Sequence, residues 1–324
     1  MKKFVYLFLL ISFCVGCKKT DVQDEPDGQK DEWVIYNTTN SGLPDNQINA
    51  IAVDKNNIAW AGTPKGLAYL ENGSWKFFDT SNSPLPSSFI RAIAVEEVNI
   101  IWIGTDKGVA RYDNGNWQIF TTSNSPFSNN AVMCMTYNKV NKKIWIGFEG
   151  GEVASISSQS NWQVIESGND LVLSMSADQN GDLWVGTFNS FAFTGTIKKW
   201  QNNKWTSFRL PEMGYPSAFP YAVTVDNNNN VLAALSGTSV KNVIRQKNSQ
   251  WEEMSTPQNS GGFKTLVCEN DVTWAGGNYL YKLENEHQSP LAIPGVNSGI
   301  LSMTADTKGK KWIGTLYGGV VTYE

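Results

Sequence analysis

Histidine is nearly absent: His287 is the sole one in 324 residues. That leaves little for histidine-based metal sites and weakens any serine–histidine or cysteine–histidine hydrolase reading. Charge is scarce as well. Asp, Glu, Lys and Arg make up 17% of the chain, and the balance is −4 with no basic stripe, so nucleic acid is not an expected partner. Long apolar runs are missing too. Phe4–Val15 is too short to span a bilayer as a mature helix, and no other run approaches the ~18 residues needed. What is plentiful is glycine (28), tryptophan (13) and aromatic content (12%). This profile describes a folded, sheet-rich chain and not a disordered one. At ~100–200 residues per domain the length suits two domains or one of the longer single-domain β architectures.

The first seventeen residues, MKKFVYLFLLISFCVGC, place two lysines before the apolar run. Val15–Gly16–Cys17 resembles a bacterial lipobox, although Cys14 stands where that motif usually has leucine. The resemblance implies cleavage after Gly16 and acylation of Cys17, and several acyl chains anchor stably where one does not. Residues 18–32 hold six acidic residues and three lysines and no aromatic, which reads as a flexible tether. Lys18 is compatible with outer-membrane sorting in the lipoproteins this resembles. The acidic tract resembles export signals of surface lipoproteins in Bacteroidetes and reads equally well as a soluble spacer. The expected organisation is a signal peptide at 1–16, a tether at 17–32 and one folded unit at 33–324. Its address would be the outer membrane, on the periplasmic or the cell-surface side.

Internal repeats decide the fold. Trp–x–Gly–Thr recurs at Trp60–Thr63, Trp102–Thr105, Trp184–Thr187 and Trp312–Thr315, with variants at Trp145–Phe148 and Trp274–Gly277. A degenerate copy, Val231–Ala234, fills the one double-length gap. Seven units of about 42 residues result, the period of a four-stranded propeller blade. Asp/Asn/Gly clusters such as Asp54–Asn57 and Asp113–Gly115 mark the hairpins between short β-runs. Strand A alternates a large set (Ile51, Ile93, Met135, Met175, Val223, Val267, Met303) with a small set (Ala52, Ala94, Thr136, Ser176, Thr224, Cys268, Thr304). Both faces should therefore be buried, the small set making room for bulk from the adjacent blade. Twelve tryptophans occupy two repeat positions, on strands B and D, and are expected to be core.

The expected architecture is all-β, a seven-bladed β-propeller of four-stranded antiparallel blades. The last unit supplies strands A, B and C at 300–305, 311–315 and 320–323. Trp33–Thr38 matches the strand-D segments Trp75–Thr80 and Trp117–Thr122. The N-terminal strand should thus close the last blade and remove an open edge. Cys134 and Cys268, in blades three and six, should lie too far apart to bridge and should share the small-residue face as free thiols.

The segments Asn57–Tyr69 and Asn99–Tyr112 resemble the two-component-regulator propeller repeat family. The resemblance covers 33–324, strongest in the first two units and the last. It implies a sensor-type propeller, found in hybrid histidine kinases of Bacteroidetes and in free-standing secreted proteins. This chain shows no Ig-like module, membrane helix, kinase or DNA-binding region after the repeats, so the resemblance implies a fold and a ligand-binding habit without a signalling output. Streptogramin lyases share the Trp/Gly pattern but rely on histidine.

No catalytic constellation stands out. The turn Asp178–Asp182 lacks the Glu an EF-hand needs at its twelfth position, which is Asn189, and it recurs as a hairpin. Glu96–Glu97 and Glu252–Glu253 are adjacent, so their side chains diverge. His287 reads as a solvated turn residue. No cofactor or metal is expected.

Two connections are long and aromatic, Phe188–Gly195 and Arg209–Phe219. Long loops on a rigid scaffold concentrate function. Phe188, Phe191, Phe193, Tyr215 and Phe219 are expected to form an aromatic wall with Asn189 and Arg209 as polar partners. Phe148, Glu149 and Tyr317 would line the rim, and Arg91 and Lys264 are further candidates for holding an anion at the channel mouth. The expected function is a monomeric, non-enzymatic lipoprotein binding a glycan or glycan-bearing partner. The alternatives are an envelope protein-interaction scaffold and a hydrolase or lyase.

Overall fold

Hairpin tips set the strand lengths. Asn57, Asn72, Asn114 and Asn229 take φ of 60°, 51°, 47° and 61°, a left-handed conformation that Asn tolerates better than most side chains. The computed structural model describes residues 32–96, 100–157, 161–237, 243–256, 262–269, 272–283 and 290–324. The leader, Cys17, the tether up to residue 31, Glu97 and His287 lie outside the described residues. The folded unit is Glu32–Glu324.

Seven antiparallel sheets follow one another along the chain. Blade 1 has strands A–D at Ala50–Val53, Ala59–Thr63, Gly66–Glu71 and Ser74–Phe78, and blade 2 at Ile90–Val95, Ile101–Thr105, Gly108–Asp113 and Asn116–Phe120. Blade 3 comprises Val132–Asn138, Lys143–Phe148, Glu152–Ser157 and Trp162–Glu166, and blade 4 Leu171–Ala177, Leu183–Asn189, Thr194–Gln201 and Lys204–Arg209. Blade 5 comprises Phe219–Val225, Val231–Ser236, Val243–Lys247 and Gln250–Glu253. Blade 6 shows three strands among the described residues, Thr265–Glu269, Val272–Gly276 and Leu280–Leu283, with Leu291 bridging back to Leu280. Blade 7 has Ile300–Ala305, Lys311–Thr315 and Val320–Tyr323, and its fourth strand is Trp33–Tyr36. Trp33 pairs with Tyr323 and Tyr36 with Val320, so the earliest strand closes the ring. Each strand A touches strand A of both neighbours, blade 7 meeting blade 1.

The core is divided among seven clusters, one per blade interface. Trp60 packs with Ile90 and Ile101, Trp102 with Val132 and Ile144, Trp145 with Val172 and Leu183, and Trp184 with Val223 and Val231. Trp274 packs with Ile300 and Ile313, and Trp312 with Ile48 and Ala59. In the degenerate fifth blade the copy is Leu232–Leu235, one residue later than the expected Val231–Ala234, and Leu232 takes the tryptophan's place against Phe263. All six strand-B tryptophans are buried. The strand-D tryptophans differ from expectation: only Trp75 is buried, and the other five are half-exposed on the outermost strand.

Pairing corrects the expected strand-A faces. Ala52, Ala94, Thr136, Ser176 and Thr304 lie directly opposite the tryptophan of their own blade and make room for it, while the same face also receives bulk from the next blade, as with Val132 and Met135 against Gly104. In blade 6 the residue opposite Trp274 is Val267, one position from the Cys268 expected there. Leu266 is therefore the large residue, and Cys268 moves to the face opposite that of Cys134. Both cysteines are free. Burial pushes the Cys134 thiol far up and the Cys268 thiol to about 11, the latter against the Thr273 hydroxyl.

Three repeated devices explain the motif. The glycine of Trp–x–Gly–Thr is a notch for the next blade. A Cβ on Gly62, Gly104, Gly147, Gly276 or Gly314 would sit 2.7 Å or less from a side-chain atom of Ile90, Val132, Val172, Ile300 and Ser302 respectively, with Ile48 of blade 1 also 2.7 Å from the last. The threonine staples the B–C turn: Thr63 Oγ1 donates to Gly66 O (2.9 Å) and accepts from Lys65 N, and Thr105 repeats this with Gly108 and Lys107. The A–B turn carboxylate clamps the tryptophan. Asp54, Glu96, Asp178 and Asp306 accept from the indole N–H of Trp60, Trp102, Trp184 and Trp312 at 3.0–3.3 Å. Asp178 also accepts from Asn180 N and Asp182 N, which makes this turn a hairpin brace.

Three outcomes follow for chemical denaturation of the 32–324 unit. Gly104→Ala forces Cβ against Val132 and should cost about 2 kcal/mol, partly recovered in Gly104→Ala/Val132→Ala. Asp178→Ala leaves a buried indole N–H and two backbone N–H groups without their acceptor and should cost about 2–3 kcal/mol. Trp33→Ala removes the 4.5 Å ring contact with Tyr323 at the closure and should cost about 2 kcal/mol. An unchanged midpoint in any of these would remove the role assigned to that device.

Candidate functional site: the loop-face mouth of the channel

Chain direction puts every B–C and D–A connection on one face. At that face the first residues of strand A depart from regular pairing. The register slips between Ile90 and Ala92, Val132 and Cys134, Val172 and Ser174, Pro220 and Ala222, and Ile300 and Ser302. In blades 1 and 6, Asn49 N and Lys264 N donate to Gly62 O and Gly276 O, the residues already opposite Ala50 and Thr265. A bulge re-aims the residue it expels from the ladder. The seven residues so placed are Asn49, Arg91, Met133, Leu173, Tyr221, Lys264 and Leu301, and all line one cavity of about 690 Å³. Deeper in it the large residues Ile51, Ile93, Met135, Met175, Val223, Leu266 and Met303 form an apolar waist. A second cavity of about 300 Å³ lies at the A–B turns, lined by Asp54, Glu96 and Asp306 with Lys55 and Lys139.

The two long connections meet, as expected. The Phe188 and Phe219 rings meet at 4.6 Å, tilted by 48°, Phe193 lies 6.3 Å from Phe188, and Phe219 lies 6.1 Å from Tyr221. Lys264 Nζ stands 6.0 Å over the Tyr221 ring. A strip of aromatics thus runs from the fourth B–C tip to the channel mouth. The tip is narrower than expected, because strands B and C extend to Asn189 and Thr194 and leave only Ser190–Phe193 outside the ladder. Asn189 accepts from Phe191 N and Ala192 N and donates to Asp170 at 2.8 Å, so it braces the tip. Phe191 is 95% exposed and Phe193 69%.

Other expected members stand elsewhere. Phe148 is fully buried, its ring tilted 4.7 Å from that of Phe127, because it points into the core cluster between blades 2 and 3. Tyr215 donates to Glu253 at 2.7 Å and packs with Leu210 and Trp251; burial, with Glu253 beside it, pushes its phenol well up. Arg209 pairs with Glu212 inside its own loop at 3.2 Å. That loop folds as a single 3₁₀ turn, Leu210–Met213, capped by left-handed Gly214, and it draws both side chains away from the strip. Glu149 is exposed and reaches Arg91 at 3.6 Å, which brings it to the mouth. Tyr317, on the seventh B–C loop, is 70% exposed. Tyr221 and Phe89 were not expected. The bulge hides Tyr221, because it breaks the alternation by which a strand's faces are read, and Phe89 stands just ahead of its strand. Glu252 turns to Arg245 and Glu253 to Tyr215, so that carboxylate pair diverges. Among the described residues no group of three or more His, Cys, Asp or Glu side chains gathers as a metal site.

A family model described as the two component regulator propeller matches residues 42–65 and 166–189, the strand A–B portions of blades 1 and 4. Blade 1 is among the units where the resemblance is expected to be strongest, and blade 4 is not. No curated protein matches the chain. Among solved structures, virginiamycin B lyase from Staphylococcus aureus superposes with a TM-score of 0.75 at 15% identity, covering 91% of this chain and 99% of that one. The extracellular domain assigned to a hybrid two component system of B. thetaiotaomicron superposes with a TM-score of 0.73 at 15% identity, over 90% of this chain and 41% of that one. YCF48 bound to D1 peptide gives 0.68 at 14% identity, over 92% and 97%. At these identities the likeness is one of fold. The chain is a seven-bladed β-propeller, two segments of which, in blades 1 and 4, match the two component regulator propeller model.

Proposed function

We propose that this protein is an envelope-anchored lipoprotein whose propeller binds a glycan, or a glycan-bearing partner, on the loop face without transforming it. The observation that carries this reading is the exposed aromatic set around an open channel mouth: Phe191, Phe193 and Tyr317 at the loop tips, Phe89 and Tyr221 at the rim. Aromatic faces offer sugars apolar C–H contact, and the neighbouring Asn49 amide and the cations can hold hydroxyl or carboxylate groups. The likeness to an extracellular domain of B. thetaiotaomicron fits this use. Anchoring rests on Val15–Gly16–Cys17 alone.

Catalysis of the lyase kind has less support. One of the similar structures is a catalytically inactive histidine-to-alanine variant of virginiamycin B lyase, whereas this sequence has only His287. Docking of a protein segment is the second reading, favoured by the nearly bare Phe191 and by the similar propeller that holds a peptide.

The test is a glycan-array screen of the 32–324 unit, which contains every described strand and core cluster, beside Phe191→Ala/Phe193→Ala. Binding to a glycan hit should weaken roughly tenfold in the variant, the loss of about one good stacking contact, with melting unchanged. A full array without a hit, or a hit indifferent to both phenylalanines, would remove the proposal.

A further inference from the structure

The channel mouth has a charge that the rest of the chain does not share. The sequence as a whole is −4. Yet no Asp or Glu lines the upper cavity, and its charged lining consists of Arg91 and Lys264. Both are bulged residues, put at the mouth by backbone geometry and not by side-chain packing. They belong to blades 2 and 6, with blades 7 and 1 between them, so they face each other over the opening with Leu301 and Asn49 in between.

Their surroundings differ. Arg91 is already engaged: its Nη1 lies 3.6 Å from Glu149 Oε2 and 3.1 Å from Met133 Sδ, and its guanidinium lies 5.7 Å from the Phe89 ring. Lys264 is exposed, rests over Tyr221 and has no carboxylate within ion-pair distance among the described residues. An ammonium left unneutralised above a low-dielectric apolar waist attracts an anion more strongly than a surface lysine does. Its aromatic neighbour belongs to the strip that continues through Phe219 and Phe188 to the exposed tip. A chain-like ligand lying along that strip would bring one of its groups to Lys264.

We propose that the mouth is an anion seat, and that the ligand is an acidic glycan whose carboxylate or sulfate sits on Lys264 with Arg91 opposite while its sugar rings lie on the strip from Tyr221 to Phe193. This rests on the glycan reading above and narrows it. Carboxylate and sulfate share the required chemistry, a compact oxyanion able to accept several N–H donors.

The experiment is calorimetric titration of the 32–324 unit, at low salt, with three oligosaccharides of matched length. One is an oligogalacturonate (carboxylate), one a carrageenan oligosaccharide (sulfate) and one a cello-oligosaccharide (neutral). At least one anionic probe should bind roughly tenfold more tightly than the neutral one, with a preference that shrinks as salt is added. Which anionic probe does so identifies the group. Lys264→Gln should abolish the preference, Lys264→Arg restore most of it, and Arg91→Gln reduce it. Lys55→Gln, at the opposite opening, should leave it intact. Melting curves of each variant check folding, and an exposed lysine side chain should be replaceable without loss. Equal affinity for all three probes, or a preference untouched by Lys264→Gln, overturns the anion seat while leaving glycan binding standing. Failure of both anionic probes to bind likewise overturns the anion seat, whereas the glycan reading falls only if the full array also gives no hit.

Discussion

Everything in this ring depends on how closely one blade can approach the next. The strand-B glycine sets that distance, because a single methyl at Gly104 or Gly147 would overlap the side chain that opens the following strand A. The same short segment carries the tryptophan that fills the interface two residues away. Notch and filler are thus covalently fixed to one another, and repeating the pair around the ring gives the same packing at successive interfaces. Blade 5 shows the tolerance of the device. There Ala234 and Leu232 replace glycine and tryptophan, and Phe263 of blade 6 supplies the volume that the smaller filler lacks.

Where the scaffold is so constrained, variation has to occur off the ladder. The bulge at the start of strand A is such a place. Its residue faces the channel and leaves the pairing on both sides undisturbed, so arginine, lysine, tyrosine, asparagine and three aliphatics occupy equivalent positions without altering the blade. The B–C turns show a second route. In blades 1 and 2 the threonine hydroxyl closes a minimal turn. In blade 4 Thr187 bonds instead to Thr196 O, and the hairpin runs on to carry Phe191 and Phe193 beyond the surface.

The repeat period, the blade boundaries and the closing strand were legible because each follows from one spaced motif or from a segment match, as between Trp33–Thr38 and Trp75–Thr80. Register was less legible where a turn changes length. The sixth blade's A–B turn is short, Glu269 pairing with Val272, and this shifts Val267 to the place where periodicity put Cys268. The site was half legible. Arg91, Lys264 and the meeting of Phe188 with Phe219 could be expected from loop connectivity. The burial of Phe148 and the capture of Tyr215 by Glu253 could not, because both depend on partners distant in sequence, Phe127 and Glu253. Tyr221 was missed for the opposite reason: it sits inside a strand whose alternation a bulge silently interrupts.

The closure imposes an order on assembly. Trp33–Tyr36 is the earliest strand of the ring, and its partner Val320–Tyr323 lies almost the entire chain away. While synthesis proceeds, the blades between can form one after another from neighbouring residues, but the circle stays open until the final strand is available. The most non-local pairing of the molecule is therefore also its last, and a slow one by the entropy of joining distant ends. Until then two strand edges and one uncovered blade face persist, so the nascent ring is most prone to misassociation just before Val320–Tyr323 emerges.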